Sequence, residues 1–359
     1  MTSQPPRIAA FDAARAFAVL GMVLVNFKVV AGAAGRGPRW LTLATDFIDG
    51  KAAATFVVLA GVGLALLTRR ARESGDASQL RSARLSILKR AAFLFVVGAL
   101  YTPIWPADIL HFYGVYLVGA ALVFAWSTPA LLAGAVAVNA VFVAMLLLLD
   151  YERGWNWETI EYAGLWTARG SLRHLLFNGF HPAFPWAGFL AVGLVVGRLD
   201  LRAARVRRRL LVGGLALLVG ITVLSETLVA VLPAADDPAL VRALVGTAPM
   251  PPVPTYFLAG TGAALTAIGS CAYLEAGFGA RGWFRVLVHT GQLALSLYVA
   301  HVLVGMGTLE ALGRLEDQTL VFATAAALVF TVSGAAFATL WRRRFARGPL
   351  EALMRFVTG

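Results

Sequence analysis

The sequence contains ten runs of mostly apolar residues, and most are long enough to cross a lipid bilayer. A membrane-spanning α-helix needs about 20 such residues, because the hydrocarbon core is about 30 Å thick. Only 14% of the residues are charged, and the mean hydropathy is +0.75. A globular protein in water has about 25% charged residues. The sequence therefore predicts an all-α, polytopic integral membrane helix bundle and excludes a soluble or disordered chain.

The runs extend along the whole chain, so we expect a single transmembrane domain, residues 1–359, without a separate soluble domain. The short third and fourth runs are separated by Pro103 and Pro106, which predict a kinked or partly re-entrant segment there. The predicted spans are about 14–33, 52–68, 90–104, 110–127, 129–149, 180–198, 210–232, 253–274, 287–308 and 320–341.

An even number of spans places both termini on one side of the membrane, and the basic residues indicate which side. Of the 31 Lys and Arg residues, 22 fall in segments on the side of the termini and eight fall on the opposite side. Cytoplasmic segments carry an excess of Lys and Arg, so both termini are expected in the cytoplasm. The same asymmetry accounts for most of the net charge of +12 without a nucleic-acid partner. The single cysteine, Cys271, excludes a disulfide framework.

Polar residues in the first predicted span are candidates for function, because ionisable groups in lipid usually face a bundle interior or a water-filled cavity. Asp12 and Arg15 are spaced i, i+3 and could simply pair with each other. Arg15 and Asn26 are eleven residues apart, so they share a helix face and lie about 16 Å apart along the axis. One helix thus presents a cation near the cytoplasm and an amide toward the outer side, close to Lys28.

Asp108 and His111 begin the fourth predicted span with the same i, i+3 spacing. A carboxylate in this position can orient an imidazole and raise its basicity, which a general base requires. The alternative is an aspartate that caps the helix beside an interfacial histidine. The residues alone leave both interpretations open.

A second histidine, His181, precedes the sixth predicted span in a turn that Pro182 and Pro185 would fix, with Trp186 nearby. It is either a membrane anchor or part of a site. The loop before it, residues 150–179, is rich in aromatic side chains, which suit an interfacial belt or a lid that stacks on a sugar.

His301 lies well inside the ninth predicted span, one turn after Tyr298. A histidine in lipid is either a neutral core residue bonded to another helix or a functional group. Glu226 in the seventh span could pair with His301 or with Lys28. No spacing typical of a metal site occurs, so we predict no metal.

Several of these segments together resemble the heparan-alpha-glucosaminide N-acetyltransferase family and its uncharacterised bacterial relatives. The opening helix has the family's pattern of Asp12, then Arg15, then ten residues, then Asn26. Similar stretches follow along most of the chain. They are residues 50–63, 108–110, 181–186 with Gly197-Arg198, and 291–301.

The resemblance implies transfer of an acyl group from cytosolic acyl-CoA, such as acetyl-CoA. The acceptor would be a sugar or envelope component on the outer side of a bacterial plasma (inner) membrane. Acyl-CoA would be a co-substrate rather than a bound cofactor. Its phosphates cannot enter lipid and would need cytoplasmic cations. The expected donor-binding residues are Asp12, Arg15, Arg198, Tyr298 and His301.

The resemblance also implies catalytic roles on the outer side. Asn26 would donate a hydrogen bond to the developing oxyanion. His111, oriented by Asp108, or His181 would act as general base or as transient acyl carrier. The partners implied are the lipid bilayer, the acyl donor and a glycan-like acceptor, and a homodimer is left open.

The chain departs from the family in one place. In the eukaryotic acetyltransferase a catalytic histidine follows the conserved asparagine closely, whereas residues 31–40 contain no histidine. Either His111 or His181 has taken over that role, or this chain is not an acetyltransferase. The alternative function is a transporter or permease for a small solute or envelope precursor, since charges inside spans also suit a solute pathway.

Overall fold

The computed structural model describes residues 7–232 and 238–359, and most of the regular structure in them is helical. The helices are α1 (Ala9–Val30), α2 (Arg39–Ile48), α3 (Lys51–Leu67), α4 (Arg69–Ser74), α5 (Ala77–Tyr101), α6 (Leu110–Val123), α7 (Thr128–Leu148), α8 (Ala168–Arg173), α9 (Ala183–Val196), α10 (Ala204–Val231), α11 (Pro238–Val245), α12 (Pro254–Phe278), α13 (Gly282–Gln292), α14 (Ala294–Ala300), α15 (Gly307–Ala311), α16 (Leu320–Trp341) and α17 (Pro349–Thr358). Two π-helices, His174–Asn178 and His301–Met306, and one antiparallel pair of strands, β1 (Trp155–Asn156) and β2 (Glu161–Tyr162), complete the described elements.

Within the described ranges, seven helical segments are long and apolar enough to cross a bilayer. They are Ala9–Val30, Arg39–Leu67, Thr128–Leu148, Ala204–Val231, Pro254–Phe278, Ala294–Ala311 and Leu320–Trp341. The pair Ala168–Asn178 and Ala183–Val196, bent by 51°, makes an eighth if it is one broken span. The predicted all-α polytopic membrane bundle is confirmed. The count of ten spans and the cytoplasmic termini stay predictions.

Side chains satisfy the free backbone N–H groups at several helix starts. Asp76, Ser127 and Thr319 each accept a hydrogen bond from a backbone N–H in the first turn of their own helix, α5, α7 and α16. The start of α1 is capped from a distant helix, because the Glu275 carboxylate accepts from the backbone N–H groups of Ala9 and Ala10 at 2.8 and 2.9 Å. Such caps fix where each helix begins.

The chain divides into two compact units. The first unit contains the segment that ends at Phe56, together with Asp200–Ala216 and Gly262–Leu353. The second unit contains Val57–Leu199, Leu217–Thr261 and Met354–Gly359. The single transmembrane domain over residues 1–359 stays a prediction.

The helices within each unit pack against one another, and a glycine permits one close approach. In the first unit, α1 packs against α13, α14 and α16. In the second unit, α5 packs along α6 and α7 along α9. Gly98 of α5 faces the start of α6 so closely that an added Cβ would overlap the backbone nitrogen of His111. Small residues at such crossings let helix backbones approach each other in lipid.

Candidate functional site

The second unit holds a buried aspartate–histidine pair at the start of α6. Asp108 Oδ2 lies 2.9 Å from His111 Nδ1 and accepts the His111 backbone N–H at 3.1 Å. Asp108 is fully buried and His111 is 5% exposed. Since a carboxylate only accepts hydrogen bonds, the proton of a neutral His111 ring belongs on Nδ1 and the lone pair on Nε2. The aspartate therefore caps the helix and orients the imidazole at once.

The His111 side chain borders a cavity. Nε2 is buried and has no hydrogen-bond partner among residues 7–232 and 238–359. The cavity has a volume of about 60 Å³. It is lined by Phe95, Ala99, Thr102, His111, Leu165, Trp166, Ser171, His174 and Leu175. A small reacting group placed there would lie beside the His111 side chain in largely apolar surroundings.

His174 lines the same cavity, although the sequence does not single it out. It is the first residue of the π-helix His174–Asn178, and its ring stacks on that of His111 with centroids 5.6 Å apart. Its Nδ1 is also buried and unpartnered within the described residues. Single π-turns inside helical segments are frequent at functional sites. A π-turn has no simple sequence signature, so spacing alone could not have placed this ring.

His181 lies beside this cluster in the bend before α9. Its ring contacts those of Phe112 and Trp186, with centroids 5.8 and 4.6 Å away. The Tyr116 hydroxyl donates a hydrogen bond to the His181 carbonyl oxygen. The structure thus brings His111, His174 and His181 into one cluster in the second unit, bridged by the ring of Phe112.

The first part of the aromatic loop, residues 151–162, packs on this cluster, and the Asn178 side chain holds it there. Asn178 Nδ2 donates to the carbonyl oxygens of Tyr151 and Arg153 at 2.7 and 2.9 Å. Its Oδ1 accepts the Tyr162 hydroxyl at 2.8 Å. Burial raises the pKa of the Tyr162 phenol, which keeps this donor protonated. The Tyr162 ring in turn stands edge-on to His174, 4.8 Å between centroids, so the loop covers one side of the cluster.

Asn26 belongs to a different site, in the first unit, where it pairs with His301. Asn26 Nδ2 lies 2.9 Å from His301 Nε2, and the His301 Nδ1–H donates to the Tyr298 carbonyl oxygen. With Nδ1 donating, Nε2 accepts from the amide. His301 is fully buried and begins the π-helix His301–Met306. The sequence hypothesis grouped Asn26 with His111, whereas the two residues lie in different units.

The donor-side residues predicted on α1 also form a compact group. Asp12, 2% exposed, contacts Arg7 at 2.7 Å and Arg15 at 2.9 Å. Gln292 Nε2 donates to the same carboxylate at 3.2 Å. The expected Asp12–Arg15 pair is thus present, and a second guanidinium shares its carboxylate. The group carries one positive charge more than it has negative.

Arg198 is engaged with the protein. Its guanidinium donates to the Phe124 carbonyl at 3.0 Å and to Thr128 Oγ1 at 3.3 Å, which joins the end of α6 to the start of α7. Burial lowers the pKa of this guanidinium, and the charge of Arg72 lowers it further. Arg198 therefore has a structural function, whatever else it binds.

Lys28 does not pair with Glu226. Its ammonium group contacts Asp46 at 2.9 Å and Asp49 at 2.6 Å, near the end of α2. Glu226 instead lies 3.6 Å from Arg242. In the residues that the structure describes, no group of three or more His, Cys, Asp or Glu side chains could hold a metal ion.

Two family models together match the whole described part of the chain. Residues 7–227 match the family model described as Heparan-alpha-glucosaminide N-acetyltransferase, catalytic. Residues 198–359 match the model described as Protein of unknown function (DUF418). No curated protein matches the chain. The first match includes the Asp12, Asn26 and Asp108–His111 sites, and the second includes His301.

Proposed function

Since the chain belongs to the heparan-alpha-glucosaminide N-acetyltransferase catalytic family, which supports a membrane acetyltransferase-like function, we propose that it is an acyl-CoA-dependent transferase. It moves an acyl group, acetyl in the simplest case, from cytosolic acyl-CoA to a sugar or envelope acceptor across the membrane. The observation that carries this proposal is the buried Asp108–His111 pair. The His111 side chain lines a cavity, and its Nε2 has no hydrogen-bond partner within the described residues.

His111 is the proposed general base. Its Nε2 takes the proton of the acceptor hydroxyl or amine as that group attacks the thioester carbonyl. The C–S bond then breaks and CoA leaves as the thiolate, which takes a proton. Asp108 stabilises the imidazolium that forms, because the negative carboxylate lies 2.9 Å from Nδ1. In the alternative course, Nε2 attacks the carbonyl itself, the C–S bond breaks and CoA leaves as the thiolate. The acceptor then attacks the acyl-imidazole, the N–acyl bond breaks, and the proton of the acceptor passes to the released Nε2.

Arg7 and Arg15 are the proposed contacts for the phosphates of the donor. The pair shares one carboxylate, Asp12, so a positive charge is left to attract an anion. Arg7 is largely exposed, with 65% of its side chain accessible, and can turn toward a ligand. Asn26 remains the proposed oxyanion donor. Its role is a separate proposal, since it lies in the other unit from His111.

The test is acetyl transfer by the purified full-length protein in proteoliposomes that contain labelled acetyl-CoA and an amino-sugar acceptor on opposite sides. His111→Gln is expected to remove most of the transfer, while His289→Gln, on a partly exposed histidine of α13, should leave it unchanged. His181→Gln shows whether the neighbouring histidine is essential as well. Wild-type protein that transfers no acetyl group, or an unchanged rate for His111→Gln, would overturn the proposal.

A further inference from the structure

The terminal helix α17 has two opposite sides with different surroundings. Thr358 is buried and Glu351 is bonded to α14, and these two residues lie on one side of the helix. Leu353, Phe356 and Val357 follow the i, i+3, i+4 spacing of a single stripe and are 47%, 87% and 55% exposed. Because each residue turns the helix by about 100°, this apolar stripe lies opposite Glu351.

The bonded side of α17 completes the start of α14. The regular helix is interrupted at Leu293, between α13 and α14. Leu293 is the N-cap residue of α14, and its side chain makes no capping hydrogen bond. Glu351 Oε1 accepts from the backbone nitrogens of Leu295 and Ser296 at 2.8 and 3.1 Å, and Oε2 accepts from Ser296 Oγ. A carboxylate at a helix N-terminus stabilises that helix. The stability of α14, which leads directly into His301, therefore depends on where α17 lies.

Exposed cations precede α17 and lie on its polar side. Arg343, Arg344 and Arg347 precede the helix and Arg355 lies within it, and all four are exposed. An apolar stripe beside arginines is the composition of helices that lie in a membrane interface. Juxtamembrane arginines are attracted to anionic lipid headgroups.

The connection to α16 keeps α17 near the bilayer. α16 is long and apolar enough to cross a membrane and ends at Trp341, and α17 begins at Pro349. The seven residues between them extend at most about 25 Å. They are also folded back, since Trp341 Nε1 donates to the Arg347 carbonyl oxygen at 2.8 Å. Because α17 lies close to the end of a span, its apolar stripe and the nearby arginines are placed to contact lipid.

We infer that α17 and the arginines before it bind an anionic phospholipid surface. The stripe of Leu353, Phe356 and Val357 enters the boundary between headgroups and acyl chains, and the arginines contact the phosphates. Lipid binding then holds Glu351 against the start of α14. The lipid composition of the leaflet thus sets how firmly α14 is capped. This inference does not depend on the proposed enzymatic activity.

The first test uses full-length protein with Phe356→Cys carrying an environment-sensitive fluorophore, since native Cys271 is buried. It is reconstituted in phosphatidylcholine vesicles with or without phosphatidylglycerol. We expect a blue shift, and quenching by brominated lipid, that are larger with the anionic lipid. Each arginine near an anionic surface contributes about fivefold to binding, so the triple change Arg343→Gln, Arg344→Gln and Arg347→Gln should weaken the anionic preference about 100-fold.

The matched control removes the same charge from another exposed basic segment, with Arg205→Gln, Arg208→Gln and Arg209→Gln in α10. It should keep the anionic preference. Equal fluorescence in both kinds of vesicle, or an equal loss in both triple variants, would overturn the inference. So would a shift that requires added protein instead of anionic lipid, because α17 would then bind a protein partner.

The second test measures amide hydrogen exchange across α14. Anionic lipid should slow exchange at Leu295 and Ser296 in the native chain, and Glu351→Ala, which removes both acceptor oxygens, should remove that protection without removing the fluorescence shift. Exchange rates that do not respond to lipid would contradict the link between α17 and α14. This measurement needs no acyl transfer, so its outcome is distinct from that of the activity assay.

Discussion

Replacing Asp108 with asparagine should slow acyl transfer while the bundle stays folded. The side chain is fully buried, and its Oδ2 accepts hydrogen bonds from His111 Nδ1 at 2.9 Å and from the His111 backbone at 3.1 Å. Asparagine has nearly the same shape, and its oxygen can still accept these bonds. The change therefore removes the negative charge and can keep both bonds to His111.

The expected magnitude follows from that loss. A hydrogen bond to a charged group contributes about 1.5–3 kcal/mol and a neutral one about 0.5–1.5 kcal/mol. The difference, about 1–1.5 kcal/mol, corresponds to about tenfold in rate. An amide NH2 turned toward Nδ1 would also move the ring proton to Nε2 and remove the base. Asp108→Asn should thus lower kcat at least about tenfold, and His111→Gln about 10²–10⁴-fold.

The assay is acetyl transfer in proteoliposomes, with thermal unfolding measured on the same preparations. Asp150→Asn is the matched control, because it makes the same change on an exposed side chain of the same unit. An unchanged kcat for folded Asp108→Asn would refute the role of the carboxylate. An equal loss in the control would show that the assay reports a general effect of the substitution.

Three further results are expected. Gly98→Ala should destabilise the protein by about 1–3 kcal/mol, because the added Cβ would overlap the backbone of α6. Gly119→Ala is the control, because open space surrounds that position, and it should leave the melting temperature unchanged. Equal melting temperatures for the two variants would contradict this prediction. Asn26→Ala should cost about 0.6–2 kcal/mol in denaturant unfolding, since it leaves a buried nitrogen of His301 without its donor. Asp76→Ala should lower the melting temperature at neutral pH. Hydrogen bonds depress the pKa of the Asp76 carboxyl in the folded protein, so its stabilising effect is lost as pH falls through that pKa, and the two proteins should converge in acid. A difference that persists at low pH would contradict this account.

The membrane fold could be predicted from the sequence because long apolar runs have few other solutions. The Asp108–His111 contact could also be anticipated, since residues spaced i, i+3 on a helix are neighbours whatever the tertiary structure. Both inferences depend only on local geometry.

The rest of the candidate site depends on long-range packing. Asn26 and His301 are 275 residues apart, and the sequence offered Glu226 as a partner for His301 instead. The stacking of His174 on His111 joins residues from two separate segments, and His174 begins a π-turn that does not follow the regular 3.6-residue period. A single sequence carries no direct signal for either arrangement. The catalytic and donor-binding roles of these residues stay predictions.

The Asn178 amide bonds to both ends of the segment 151–162 of the aromatic loop and leaves the tip of that segment without such bonds. Tyr151, Arg153 and Tyr162 all bond to this one side chain, so the base of the loop is held whatever lies between them. Trp157 stacks on Trp155 with ring centroids 4.3 Å apart, whereas residues 158–160, between β1 and β2, make none of these contacts. Changes in residues 158–160 are therefore expected to leave the histidines in place. The same feature makes the tip a place where an engineer could graft new acceptor contacts.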